Sequence, residues 1–453
     1  MPLSYLAVIT LGTVLLMLPM ATTAPGSADP LTAMFTAVSA ACITGMTIVD
    51  TATYWTPFGQ GVIMFLVQIG GLGIMSLATL LALIVFGKMG LRTSMLAQNE
   101  AHGLARGEIR GVLFMIVSSA LVLESFIAIV LTGHFMITYD HSFWRALWHG
   151  CFHGVSAFNN SGFTLFSDNL VPFVGDAWMI VPICIGIVAG GIGFPVYYEL
   201  LRRARAKRSR MVSRGLLGFQ VRTDHERPPP LSVHAKVTLL GYFGLTVIST
   251  AWFGFGEWNN PGTLGPLDTS SKVLGVLLGG ISPRTAGFNS VDYSQATQET
   301  LFLDGIMMFI GGGSAGTAGG IKVGTFVLLA FVIWAELRGN VQVTIGSRGI
   351  SNDAIRQALS VALLGVAAVV GGTLALLAVS DFELGPVLFE ATSAFGTAGL
   401  STGITGEFST AGKLIVMFLM LLGRLGPIAI ATALALNTRK RAYTLPEQRP
   451  IIG

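Results

Sequence analysis

Hydrophobic positions in this 453-residue chain do not alternate with polar ones; they run in long blocks separated by short polar stretches. Blocks that meet the roughly 20-residue length of a bilayer-crossing helix occupy residues 3–20, 59–86, 111–133, 176–201, 232–253, 300–335, 354–380 and 412–437. The pattern predicts an all-α polytopic membrane protein with eight transmembrane helices. No Lys or Arg precedes the first block and "ATTAPG" is a poor cleavage site, so it reads as a retained span rather than a secretory signal.

A second, longer pattern lies over the first. The connections after the first, third, fifth and seventh spans are too long and too apolar for simple loops. They read "FTAVSAACITGMTIVD" from Phe35, "FHGVSAFNNSGFTLFSD" from Phe152, "LLGGISPRTAGFNSVD" from Leu277 and "FEATSAFGTAGLSTG" from Phe389. Registered on Gly45, Gly162, Gly287 and Gly399, all four begin with an apolar residue at the same offset. Three carry Ser-Ala at matched positions (Ser39-Ala40, Ser156-Ala157, Ser393-Ala394), where the third has Ile281-Ser282. The near-regular spacing indicates internal duplication. Each unit is span, short helix, glycine turn, span. Four tandem units follow: residues 1–110, 111–231 with a basic cytoplasmic loop, 232–353 and 354–453. A second glycine set recurs inside each returning span: Gly70 and Gly71, Gly190 and Gly191, Gly311 to Gly313, and Gly423.

Composition and charge sharpen this. The chain is 52% hydrophobic and 11% charged with mean hydropathy +0.70, against about a quarter charged residues in soluble proteins. Lys88, Arg92, Arg106 and Arg110 follow the second span, and a dense cluster runs from Arg202 to Lys236. Arg338, Arg348 and Arg356 follow the sixth, and Arg439, Lys440, Arg441 and Arg449 close the chain. Lys and Arg are enriched in cytoplasmic loops, so both termini are expected in the cytoplasm. The opposite connections hold Arg145, Lys272 and Lys413 among many acids: Asp29, Asp50, Asp140, Asp168, Asp268 and Asp292. The run "LRRARAKRSRMVSR" reads as a topology anchor on anionic headgroups rather than a nucleic-acid surface. Cys42, Cys151 and Cys184 lack metal-ligand spacing and read as packed thiols.

A short helix that enters from outside and stops at a glycine turn leaves carbonyls without helical partners. In a membrane such backbone survives only where protein or a water-filled cavity satisfies it. Four such turns on one axis supply carbonyl rings that can replace the hydration shell of a monovalent cation. Pore-helix C-termini and acidic outer loops add a potential that favours cations.

Together with "QIGGLG" (68–73), "GGGSAGTAGGIK" (311–322) and "LLGRLGP" (421–427), these units resemble the Ktr/Trk/HKT superfamily of potassium transporters, closest to the bacterial KtrB-type membrane subunits. The likeness covers essentially the whole chain. It implies channel-like potassium uptake across the plasma membrane by a homodimer with one pore per subunit. A cytosolic KtrA-type ring would bind the regulatory nucleotide, and no nucleotide fingerprint or other cofactor is expected in this chain. Whether sodium acts as an activator stays open, as does a sodium/potassium symporter of the same family working without such a ring. The selectivity filter would be Ile43, Thr44 and Gly45; Asn160, Ser161 and Gly162; Thr285, Ala286 and Gly287; Thr397, Ala398 and Gly399, with potassium ions at their carbonyls.

The resemblance also gives a role to the sixth span. Six of the ten residues from Gly311 to Gly320 are glycine, each costing about 1 kcal/mol in a helix interior. As one helix of about 36 residues the span would be roughly 54 Å long, beyond the roughly 30 Å hydrocarbon core. A break resolves both problems, and the resemblance makes it a gating loop of Gly311, Gly312, Gly313, Ser314, Gly316, Thr317, Gly319, Gly320 and Lys322; a plain packing kink is the competing reading. Arg424, deep in the last span, is placed as a pore-lining charge. Lys322 divides evenly between gating and snorkelling, and Glu124 is a candidate counter-charge to either. His149 and His153 have metal-ligand spacing but no third ligand, and read as polar surface of the second short helix. "GTAGG" lacks the strand and Walker pattern of a phosphate loop. An intramembrane enzyme built on His149, His153 and Glu124 lacks convergent ligands. Alternating access through inverted repeats conflicts with four units of one orientation.

Overall fold

The computed structural model describes residues 2–73, 109–215, 231–314, 316–340, 342–346 and 348–436. The second half of the expected span 59–86, the basic residues Lys88, Arg92 and Arg106, and the C-terminal Arg439, Lys440, Arg441 and Arg449 lie outside the described residues. Four short helices organise the rest: α2 (Pro30–Cys42), α6 (Phe143–Phe158), α10 (Thr269–Ile281) and α14 (Leu384–Gly396). α2 and α10 begin under an aspartate: Asp29 accepts from the Leu31 and Thr32 amides, and Asp268 from those of Ser270 and Ser271. Such caps satisfy otherwise orphaned N–H groups.

Further helices precede and follow each short one. They are α1 (Pro2–Leu16) and α4 (Pro57–Leu72), with a single-turn α3 (Thr51–Tyr54) between; α5 (Ile109–Thr138) and α7 (Ala177–Ile192), continued by α8 (Phe194–Gly215); α9 (Val233–Glu257) and α11 (Gln298–Phe309), resumed as α12 (Val323–Leu337); and α13 (Asn352–Leu377) and α15 (Thr410–Leu436). A two-stranded hairpin, Thr344–Ile345 with Arg348–Gly349, joins α12 to α13. The units close head to tail: α4 packs on α6, α7 on α10, α11 on α14, and α15 returns to α2.

Among the described residues three helical segments are long and apolar enough to cross a membrane, Met115–Thr138, Val233–Glu257 and Asn352–Leu377. Their outward faces expose large aliphatic side chains, such as Ile129 (72% exposed) on α5 and Leu240 (78%) on α9, a surface suited to lipid rather than water. Lipid tails are as apolar as the core, so helix association rests on close packing of small residues. α6 shows this: added Cβ atoms at Gly150 and Gly154 would press on Ala128 O (2.6 Å) and Glu124 O (2.9 Å) of α5.

Two expected spans depart from the expectation in ways the sequence did not show. The first ends at Leu16, not at residue 20. The fourth, expected over 176–201, bends by 101° between α7 and α8. Gly193 takes φ 98° there, and Pro195 sits in the first turn of α8, where its missing N–H costs nothing. Hydropathy alone carries no trace of such a bend.

Candidate ion-permeation site

The C-termini of the four short helices meet in one repeated backbone shape. Within four residues of their ends, Ile43, Asn160, Thr285 and Thr397 take φ of 58°, 55°, 65° and 49°. Two residues later Gly45, Gly162, Gly287 and Gly399 take φ of 82°, 73°, 73° and 86°. Non-glycine residues in this region cost on the order of 1–3 kcal/mol each and persist only where the surroundings impose them. In three units a Schellman-type bond does so: Thr44 N–H donates to Ser39 O (2.8 Å), Ser161 to Ser156 O (2.9 Å) and Ala398 to Ser393 O (2.8 Å). The third departs from it, Ala286 N–H donating to Ser282 O at 3.0 Å.

These bonds turn the N–H groups back into the helices and leave the carbonyls unpaired. Of the twelve carbonyls at positions 43–45, 160–162, 285–287 and 397–399, Gly287's alone accepts a hydrogen bond among the described residues, from Asn169 Nδ2 at 3.3 Å. The glycines show how the turns face one another. A Cβ on Gly45 would collide with Ser161 O; on Gly162 it would lie 2.9 Å from Ala286 O; on Gly287, 2.8 Å from Ala398 O; on Gly399 it would collide with Thr44 O. Each glycine thus abuts the middle carbonyl of the next turn, and the fourth returns to the first. The ring is closed, and its residues are buried except Gly45 and Gly399, which are half-buried. Buried carbonyls are otherwise almost always paired, so this ring is built for a ligand that accepts oxygen coordination.

Side chains on the short helices hold the strands that follow. Ser39 Oγ donates to Met46 O and Ser156 Oγ to Phe163 O, both at 2.7 Å, which gives the Ser of the repeated Ser-Ala a role in two units; Ser393 makes no such bond among the described residues. Three residues past the glycine, the Thr402 amide donates to buried Glu390 (2.8 Å) and the Leu165 amide to His153 Nε2 (3.3 Å). Glu390 and His153 occupy the same register, a relation that sequence reasoning missed because Thr36 and Leu278 fill it in the other units. His153 Nδ1 donates to His149 O (2.7 Å) and His149 stacks on Phe166. The described residues hold no cluster of three or more His, Cys, Asp or Glu side chains able to bind a metal. Outside the ring, a cavity of ≈ 90 Å³ is lined by Gly45, Thr47, Asp50, Gly162, Thr164 and Asn169 among others. Burial alone would raise the Asp50 carboxyl, but hydrogen bonds from Ser167 (2.6 Å), the Ala52 amide and Thr53 hold it below its ordinary value.

On the other side of the ring lies the glycine-rich segment. Its ends are pinched: Gly311 N–H donates to Ile321 O (2.8 Å), and Val323 N–H to Gly312 O (3.0 Å). Its middle docks on α7, with Gly313 donating to Gly191 O (2.7 Å) and Thr317 to Gly190 O (3.4 Å). Gly319 abuts Thr397 of the fourth turn. Ser314, Gly316 and Gly320 lie within the same loop. Lys322 directly precedes α12, and its Nζ turns back into the loop, donating to Ala318 O at 2.5 Å, not toward the surface. Arg424 reaches in from α15, donating to Thr317 O (2.5 Å) and to Gly70 O of α4 (2.7 Å). Glu124 pairs with neither cation: both its oxygens accept from Gln68 Nε2 (3.0 and 3.2 Å), and one from Asn159 Nδ2 (3.0 Å). Its oxygens thus face neutral amide donors rather than a cation.

A family model described as cation transport protein, TrkH, matches residues 4–442. The chain is 37% identical over 451 residues to the Ktr system potassium uptake protein B of Bacillus subtilis (strain 168), covering 100% of this chain and 95% of that one. It is 35% identical to the protein of the same name from Vibrio alginolyticus, with 96% and 90% covered. To the potassium/sodium uptake protein NtpJ of Enterococcus hirae it is 30% identical, with 99% and 95% covered. The crystal structure of the potassium transporter TrkH from Vibrio parahaemolyticus superposes with a TM-score of 0.66 at 18% identity, over 96% of this chain and 83% of that one, which shows a common fold. By sequence match along nearly its whole length, the chain belongs to the TrkH family of cation transport proteins.

Proposed function

We propose that this protein carries potassium across the plasma membrane through the axis of the carbonyl ring. The observation that carries the reading is the closed cycle of four glycine turns with unpaired carbonyls; oxygen rings of this kind replace a monovalent ion's hydration shell. The names of the full-length relatives favour potassium as the ion, and NtpJ's name keeps a sodium/potassium symporter without a ring subunit as the second reading. The eight hydrophobic blocks, paired around four short helices, support eight spans with both termini cytoplasmic.

The Gly311–Gly320 loop is the proposed gate. It lies against parts of the second and fourth units and is tied to the first by Arg424, so an ion leaving the ring inward meets it. Arg424 pins this closed form, and Lys322 stiffens the loop's return. "Ktr system" in the relatives' names supports a separate cytosolic regulatory subunit carrying the nucleotide, and the membrane subunit is proposed to pair as a homodimer. Rubidium uptake in a bacterium stripped of its own potassium uptake, with and without sodium and the ring subunit, tests the whole reading. Saturable uptake is expected; none under any condition would refute it.

A further inference from the structure

The ring is symmetric in backbone but not in charge. Three residues before each marker glycine stand Cys42, Asn159, Arg284 and Gly396. The Asn159 amide nitrogen donates to Gln68, Glu124 and the Val155 carbonyl. Arg284 differs. It is 0% exposed, and among the described residues none of its three guanidinium nitrogens has a hydrogen-bond partner. Its one close polar neighbour is the face of Tyr242 on α9, 5.1 Å from the ring centroid. Tyr242 is itself 0% exposed, and its hydroxyl is unpaired.

An arginine does not shed its proton to escape burial. Stacking on an aromatic face stabilises a desolvated guanidinium, and the end of α10 is the negative end of a helix, which does the same. Both features keep the charge where it is without cancelling it through an acid. Arg284 directly precedes Thr285, Ala286 and Gly287 of the third turn, and none of its three counterparts, Cys42, Asn159 and Gly396, carries a positive charge.

Building on the proposed function, we propose that Arg284 is a specificity-determining charge: a fixed cation behind the third turn that weakens how tightly the ring holds a permeating ion. An ion must bind well enough to enter the ring yet weakly enough to leave it. Three pore helices draw it in, while the third unit opposes them. The missing Schellman bond and the missing Ser-Ala of that unit mark the same departure.

A fixed potential acts on ions in proportion to their charge, which separates it from any effect on packing. The test measures binding of rubidium and of barium, a divalent ion of nearly potassium's size, to the full-length protein in lipid nanodiscs by titration calorimetry. Arg284→Gln and Arg284→Met are expected to bind rubidium about threefold more tightly and barium about tenfold, the square of the first factor. Arg284→Lys keeps the charge and is expected within about twofold of wild type for both ions. Unchanged or weaker binding in the neutral variants, or equal factors for the two ions, overturns the proposal. Should neither neutral variant fold, Arg284→Lys decides alone: wild-type affinities with the guanidinium gone support a charge effect, and a several-fold shift for either ion overturns it. If wild type binds neither ion, the proposed function itself fails, a result distinct from these.

Discussion

The outer and inner halves of the four units obey different rules. On the outer side the same turn occurs four times, a left-handed residue followed two positions later by a left-handed glycine, and each copy abuts the next. On the inner side the returning helices part ways. α4 ends at Leu72 with Gly73 at φ 77°. α7 swings through 101° at Gly193. The third unit breaks into a loop between Phe309 and Val323. α15 runs on to Leu436. On the proposed function, coordination of a spherical ion wants equal oxygens from every side, which would hold the outer half to one geometry. Obstruction of the path would need one movable element, which leaves the inner half free to differ.

The second glycine set shows the change of rule within single helices. Cβ atoms at Gly70, Gly190 and Gly423 would collide with Ala41 O, Phe158 O and Phe395 O respectively, each the carbonyl four residues before its unit's marker glycine. These glycines seat the end of the short helix on the returning span. Gly311 holds the matching place in the third unit, yet it abuts Gly319 O within its own loop. The same residue at the same offset packs in three units and folds a loop in the fourth.

The sharpest way to break the outer rule is one methyl group. Gly45→Ala forces a Cβ onto Ser161 O at a backbone angle alanine rarely takes; misplacements of this size cost about 100-fold in function. Rubidium uptake should fall by that factor with membrane expression intact, and Gly399→Ala, against Thr44 O, should match it. Near-normal uptake in either would remove that turn from the ion path. The inner rule breaks in the opposite direction. Deleting residues 312–319 should raise uptake about tenfold in the absence of the ring subunit, the size of shift that 1.4 kcal/mol of lost closed-state preference gives. A deletion that still obeys its partner would place the gate elsewhere.

A smaller effect is expected at Arg424. Its two bonds tie the loop to the first unit, and hydrogen bonds from charged groups contribute about 1.5–3 kcal/mol, shared here between gate closure and plain packing. Arg424→Ala should therefore raise ring-independent uptake several-fold, less than the deletion. Cysteines at Ser314 or Thr317 should then react faster with a cytoplasmic thiol reagent in the Arg424→Ala background than in wild type. Equal rates would recast Arg424 as a structural tie.

Much of the outer half was legible in sequence because period and residue type express it directly. A glycine every unit marks the turn, and Ser39 and Ser156 mark the bonds that hold it. The inner half was legible only where composition was extreme, as at Gly311–Gly320. The bend at Gly193 was not, because one Gly-Phe-Pro inside an apolar block looks like any other interruption. Nor was Glu124's partner: Gln68, on a helix far away in sequence, neutralises no charge, and a search for counter-ions passes over it. Arg284 was missed for the converse reason, since nothing in its quartet of equivalent positions repeats.

The smallest expected effect returns to the outer mouth, at Asp50. Its carboxyl borders the cavity above the first and second turns, and hydrogen bonds from Ser167, Ala52 and Thr53 hold its pKa below the ordinary value. An aspartate shifted downward keeps its charge as the medium acidifies, and loses it only once pH falls below the usual carboxylate pKa of about 3.9. The pull it exerts on an entering cation should therefore stay constant from neutral pH to about pH 5. The mouth is open to water, where a single charge contributes little and salt screens it. Asp50→Asn is accordingly expected to raise the apparent KM for rubidium only about twofold at low ionic strength, and less at high salt. In wild type the KM should be flat over the same pH range. A wild-type KM that climbs between pH 7 and 5 would show that the hydrogen bonds do not hold the charge, and an Asp50→Asn effect as large as that of Gly45→Ala would make Asp50 part of the ring rather than its approach.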